Sequence, residues 1–145
     1  MQRDYILRQI EEAGSVLRTV LARILGRTAK TDETAFELRR AAQMGGLDFE
    51  LLRACDPATA RLIVEQAAAA DPSRLWLAAE MLYVEGMGER TERGGTAGEA
   101  NLTKAYLLYG LVKPTIRLPG GFPEATDRMR EIEDLLSGEG DVPAA

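Results

Sequence analysis

The residue types that most often carry chemistry are scarce in this chain. Histidine is absent from its 145 residues, and Cys55 is the only cysteine. Acid–base work at neutral pH would therefore fall to carboxylates, lysines and tyrosines. Neither an intrachain disulfide nor a cysteine-based zinc site can be built. Cys55 stands just before Asp56-Pro57, a helix start whose dipole would favour a thiolate, but the Asp56 carboxylate opposes it. The plainer reading is a small structural side chain. Glu124, Asp127, Glu131 and Asp134 share one stripe of a helix with Arg128 and Arg130 interleaved. That is the pattern of a solvated, charge-laced face. A di-metal carboxylate bundle would want Glu-x-x-His pairs, which cannot be formed here. Gly86-Met87-Gly88 and Gly94-Gly95 follow no strand and lead to no Gly-Lys-Ser/Thr, so neither reads as a phosphate loop. The expectation is no catalytic residue, no cofactor and no metal.

Two groups could still bind something. Tyr106, Lys113 and Arg117, near a proline-rich stretch, could hold an anion in a pocket shared with Trp76, Tyr83 and Tyr109. Aromatic residues at helical spacing are more often core, and that alternative stands beside the pocket. The second group is the first helix, where Ile6, Leu7, Ile10, Gly14, Leu17 and Leu21 form an apolar surface. It could pack on the rest of its own domain, the favoured reading because it is wider than a strict coiled-coil seam, or zip to a second copy.

The elements that must position these groups all read as helices. From Asp4 to Leu25, Ile6, Ile10, Ala13, Leu17, Val20 and Ile24 step by threes and fours, within an arc of about 80° at 100° per residue. Gly14 lies beside Leu7 and Leu21, which points to another helix backbone crossing there. Thr31 and Asp32 can cap a second helix that stops at Gly45-Gly46. A short turn, Phe49 to Ala54, follows. Asp56-Pro57 and Asp71-Pro72 each set a capping acid before a first-turn proline. The first opens a helix through Ala70 and the second a helix through about Glu85.

Gly86 to Gly98 reads as a glycine-rich flexible loop. Thr96 and Glu99 have capping-box spacing for a helix running to Val112. Lys113 to Pro123 is expected to pack down, because it carries Ile116, Leu118 and Phe122 among its prolines and glycines. A last helix, Pro123 to Leu136, turns Ala125, Met129, Ile132 and Leu136 inward. With no period-two alternation, the expected fold is all-α: stacked helical hairpins, about six helices, in one domain over 1–137 with a disordered tail over 138–145.

Composition limits the partners. There are 23 acidic against 18 basic residues, with +3 over residues 1–30 and −8 over the rest. An acidic balance disfavours a nucleic-acid partner. No apolar run is long enough to span a membrane, and Asp4, Glu11 and Glu12 interrupt any signal-peptide core, so a cytoplasmic protein is expected.

Trp76, Ala79 and Tyr83, with Ala105 and Tyr109 in the following helix, resemble a degenerate tetratricopeptide unit. Glu80 stands where that family prefers glycine, and no second copy appears at a 34-residue period. The opening Met1-Gln2-Arg3-Asp4-Tyr5-Ile6-Leu7-Arg8-Gln9-Ile10-Glu11, with Gly46-Leu47-Asp48-Phe49-Glu50-Leu51-Leu52, resembles a bacterial domain-of-unknown-function family of small, tetratricopeptide-like helical proteins. The tetratricopeptide resemblance implies a surface for an unknown protein partner on the inner helices; the family resemblance implies an all-helical fold, lends no activity and leaves function open. A non-catalytic interaction or scaffold protein is the leading expectation. A small anionic-ligand binder or enzyme with a pocket under the 113–123 loop is the alternative.

Overall fold

A computed structural model describes residues 2–69, 71–113 and 122–138. Among the described residues there are seven helices and no strand. They are α1 (Gln2–Leu25), α2 (Thr31–Met44), α3 (Phe49–Ala54), α4 (Pro57–Ala68), α5 (Ser73–Arg93), α6 (Glu99–Tyr109) and α7 (Ala125–Leu136). The tail beyond residue 138, residue 70 and most of the 113–123 loop lie outside the described residues.

The centre of the fold is α5. From Ser73 to Gly86 every residue but Arg74 is buried, including Trp76, Met81 and Leu82. A helix enclosed on all sides belongs at the middle of a bundle. It packs on α6, α1, α4 and α2, and α7 packs on α6 while its side chains reach α5. In a repeat array each unit touches only its neighbours. Here α1 reaches past three helices to α5, so the packing lends tetratricopeptide-like stacking no support. All-α is what the molecule is.

The apolar stripe of α1 faces this core. Ile10, Ala13, Leu17, Val20 and Ile24 are all buried against the chain's own helices. Gly14 is covered by the ring of Phe122 rather than by a crossing helix: a Cβ there would lie 2.5 Å from Phe122 Cε2. Phe122 also stacks on Trp76, with centroids 5.3 Å apart, and lies under the guanidinium of Arg18 at 4.5 Å. Trp76 Nε1 donates to the Pro123 carbonyl at 3.1 Å. The described end of the proline-rich loop is thus fixed to α1 and α5.

Several boundaries depart from the sequence expectation, each for a local reason. The largest concerns α5, which continues eight residues past Glu85 to Arg93, leaving only Gly94–Gly98 as a link. Gly86 is a packing residue. A Cβ on it would meet Leu102 Cγ at 2.8 Å and the Gly98 carbonyl oxygen at 3.1 Å. Its missing side chain lets α6 start against the backbone of α5, and that contact holds a helix whose glycines cost about 1 kcal/mol each in propensity. The Thr96–Glu99 capping box does not form: α6 is preceded by Gly98 in a left-handed conformation, with no side-chain cap. Thr31 does not cap α2 either: Lys30 holds the N-cap position, and the Thr31 hydroxyl is engaged across the fold. Asp56 caps α4 as expected, accepting from Thr59 N at 2.7 Å with Pro57 in the first turn. Asp71 accepts from both Ser73 N and Ser73 Oγ.

Candidate functional site

Polar side chains are gathered at three places around α5. The first lies in its N-terminal half and is internal apart from the half-exposed Glu131. Glu80 is paired with Arg128 of α7 in a two-pronged contact, Nε to Oε1 at 3.0 Å and Nη2 to Oε2 at 2.8 Å. The Tyr109 hydroxyl donates to the same Oε1. Arg128 Nη1 donates to Glu131 Oε2 at 3.0 Å, Tyr83 donates to that oxygen at 2.8 Å, and the guanidinium lies 4.3 Å from the Tyr83 ring centroid. Glu131 lies on the solvated face expected of it, its side chain 46% exposed, but Arg128 does not: the length of the arginine carries its head inward over Tyr83.

Burial pushes the Tyr109 hydroxyl well above its ordinary range, and the Glu80 charge adds to that. Burial also raises Tyr83. For Arg128 burial alone would lower the value, but the Glu80 carboxylate outweighs it and the guanidinium is held charged. Two phenols fixed neutral and an arginine fixed cationic leave these groups no proton to exchange near neutral pH. This is a satisfied internal network.

The second place is Lys104 of α6. It is nearly fully buried, and its ammonium donates to the carbonyls of Leu52 (2.9 Å), Arg53 (2.7 Å) and Cys55 (3.0 Å). All three of its donors are used. They meet the free carbonyls at the end of α3, where a cation is favoured by the helix dipole. Burial lowers the Lys104 pKa, but no lone pair or donor faces an external substrate. Cys55 is half-buried, its thiol directed to the Leu52 carbonyl at 3.6 Å.

The third place is open. Beyond Gly86, α5 leaves the core and forms one wall of a cleft of about 300 Å³ against the end of α1, the start of α2 and Arg53 of α3. Its apolar lining is Ile24, Ala29, Ala35 and Gly88. Its charged lining is Glu85, Glu89 and Glu92 of α5 with Arg27 and Arg53. Thr31, Thr34 and Thr91 contribute hydroxyls. Thr31 Oγ1 donates to Glu92 Oε1 at 3.2 Å, latching α2 to α5.

Glu89 accepts from Arg93 at 2.9 Å and from Asn101. Glu85, the most buried of the three carboxylates, faces Arg53 at 3.3 Å. Desolvation raises its pKa in spite of that arginine, and Glu89 and Glu50 add to the rise. Arg27 is the one non-glycine among the described residues with positive φ, 58°. Thr28 N bonds back to Arg23 O and Arg27 N to Ile24 O, so Arg27 closes α1 in a position usually given to glycine. The left-handed backbone costs about 1 kcal/mol and brings an arginine to the edge of the cleft.

The residues singled out from sequence are not gathered at this cleft. Trp76 and Tyr109 are enclosed in the core and Tyr83 nearly so. Trp76 also borders a hollow of about 210 Å³ with Gly14, Phe122 and Arg128. Tyr106 is half-exposed, its hydroxyl donating to Glu133 at 2.6 Å, a bond that raises its pKa. Lys113 is exposed, and Arg117 lies outside the described residues. Of the α1 set, Ile10, Gly14, Leu17 and Leu21 are buried, Ile6 is partly covered, and Leu7 is 40% exposed.

A helix ending at Glu85 puts Glu89 and Glu92 in a loop, which hides the cleft carboxylates from the sequence pattern. On a continued helix, Glu85, Glu89 and Glu92 share one face, and that spacing was the available signal. Among the described residues, no group of three histidine, cysteine or carboxylate side chains is disposed to hold a metal ion, and no helix is long and apolar enough to cross a membrane. Nothing indicates catalytic activity. In comparisons with known proteins the chain matches no family model, no curated protein and no solved structure.

Proposed function

We infer that this chain is a non-catalytic helical interaction protein, and that its contact site is the cleft between α1, α2 and α5. The observation that carries the reading is the cleft itself. It has the volume of a small binding site, an apolar floor, and charged and hydroxyl groups converging on one space. The other polar clusters around α5 have their hydrogen-bonding capacity taken up internally. A carboxylate kept largely from water beside an open cavity is a group that gains from a partner.

The reading is tested by amide NMR of labelled protein against a library of small fragments. Shifts gathered at Ala29, Thr34, Ala35 and Gly88 are expected. Hits gathered on the Leu7 end of α1 or beside Lys113, with the cleft amides unmoved, would transfer the contact site there.

A further inference from the structure

We propose that the cleft takes a linear diamine or oligoamine, laid along α5 with its ammonium groups on Glu85, Glu89 and Glu92 and its methylenes on the apolar floor. The proposal rests on the cleft being the contact site and names the chemistry of its occupant. At 1.5 Å per residue, Glu85 and Glu89 are about 6 Å apart along the helix axis, and Glu89 and Glu92 about 4.5 Å. Ammonium groups joined by three or four staggered methylenes stand about 5–6 Å apart. At 100° per residue the three carboxylates fall within about 60° of one another around the axis, so one extended chain can run past all of them. Gly88 lies among them and adds no side chain that would fill the space.

The lining distinguishes this ligand from its competitors. Three carboxylates and two guanidiniums line the cleft, and with Glu50 beside Arg53 and Arg93 on Glu89 an acidic excess is kept, so an anion would have to enter against the local charge. A bare metal ion finds no chelating set among the described residues, and it would leave Ile24, Ala29 and Ala35 uncovered. An alkyl chain covers them. Glu85 is at present faced by Arg53, which is itself 41% exposed and shared with Glu50 at 3.8 Å. Arg53 can turn to Glu50 as an incoming ammonium takes its place. The hydroxyls of Thr34 and Thr91 supply further acceptors for the remaining N–H groups.

The test is a titration of the labelled chain with 1,4-diaminobutane, and in parallel with uncharged 1,4-butanediol at matched ionic strength. The expected result is saturable shifts at Thr34, Gly88 and Thr91 with the diamine and far weaker ones with the diol. A Glu85→Gln, Glu92→Gln double variant should lose about tenfold or more in affinity, as charge-assisted bonds are removed. Equal shifts at the cleft from diol and diamine would overturn the ammonium assignment and leave the cleft as a contact site. Diamine shifts spread over the acid-rich face of α7 would reduce it to a counterion. No shift at the cleft from either probe would remove both the ligand and the site. The wild-type pair of titrations decides among these whether or not the double variant folds.

Discussion

Glu80 and Glu85 lie five residues apart on α5 and are both withdrawn from water, yet their surroundings differ in kind. Glu80 receives two N–H groups from Arg128 and the hydroxyl of Tyr109, so its charge is met from several directions. Glu85 has one arginine at 3.3 Å, half out in solvent, and an open cavity on its other side. The first carboxylate is built into the bundle and the second is left able to respond. Directly after Glu85 comes Gly86, where α6 begins against the backbone of α5. One helix thus has an N-terminal half that holds the fold together and a C-terminal half that borders a site.

The sharpest way to break that contrast is to unbalance the Glu80 pair. Arg128→Leu should cost about 3–5 kcal/mol in urea denaturation, because it leaves a buried carboxylate uncompensated. Glu80→Gln combined with Arg128→Met should recover most of that loss, since the pair is replaced by neutral groups and Gln can still accept from Tyr109. A single variant as stable as wild type would mean that water reaches Glu80 and that the two halves of α5 are alike.

The junction comes next. Gly98 is left-handed, with φ 84°, and a Cβ there would land on the Gly86 carbonyl oxygen. Gly98→Ala should therefore cost about 2–4 kcal/mol through backbone strain and separation of α5 from α6. Gly88 is the opposite case. Its only close neighbour is the flexible end of Ile24, at 3.4 Å. Gly88→Ala should raise stability by up to about 1 kcal/mol through helix propensity, while narrowing the cleft. Thermal melts of the two variants moving in opposite directions would support the division. Equal losses would mean that the floor of the cleft is as tightly packed as the junction.

The legibility of the sequence divides along the same line. The α1 stripe was readable because a 3.6-residue period reports which face is covered, and Leu17 and Ile24 are covered. Asp56-Pro57 was readable because a cap is a contact made within four residues. Glu80 appeared only as a departure from a pattern, since its partner is 48 positions away and no local rule joins them. For the same reason Arg128 read as a surface residue. The continuation of α5 was hidden differently. Glycine has two uses, as a loop former and as a residue that permits close packing, and sequence spacing does not separate them. Gly86 serves the second. Reading it as the first removed Glu89 and Glu92 from the helix, and the cleft with them.

The smallest effect tests the site half directly. Burial raises the Glu85 pKa above its ordinary 4.5, with Glu89 and Glu50 adding to the rise and Arg53 and Arg93 opposing it. From pH 4.5 up to that raised value the folded chain holds a proton that the unfolded chain has released. The slope of stability with pH has the sign of protons bound unfolded minus folded, so this group lowers stability as pH rises through the window. At pH 7 the ionised Glu85 subtracts from stability, and below pH 4.5 it does not. Glu85→Gln should then be more stable than wild type at pH 7, with the advantage disappearing at pH 4. Urea titrations of both proteins at the two pH values measure it. The reverse order, with the variant weaker at pH 7 than at pH 4, would make the Arg53 pair a net stabiliser. Glu85 would then be satisfied much as Glu80 is, and the contrast between the two halves of α5 would be lost.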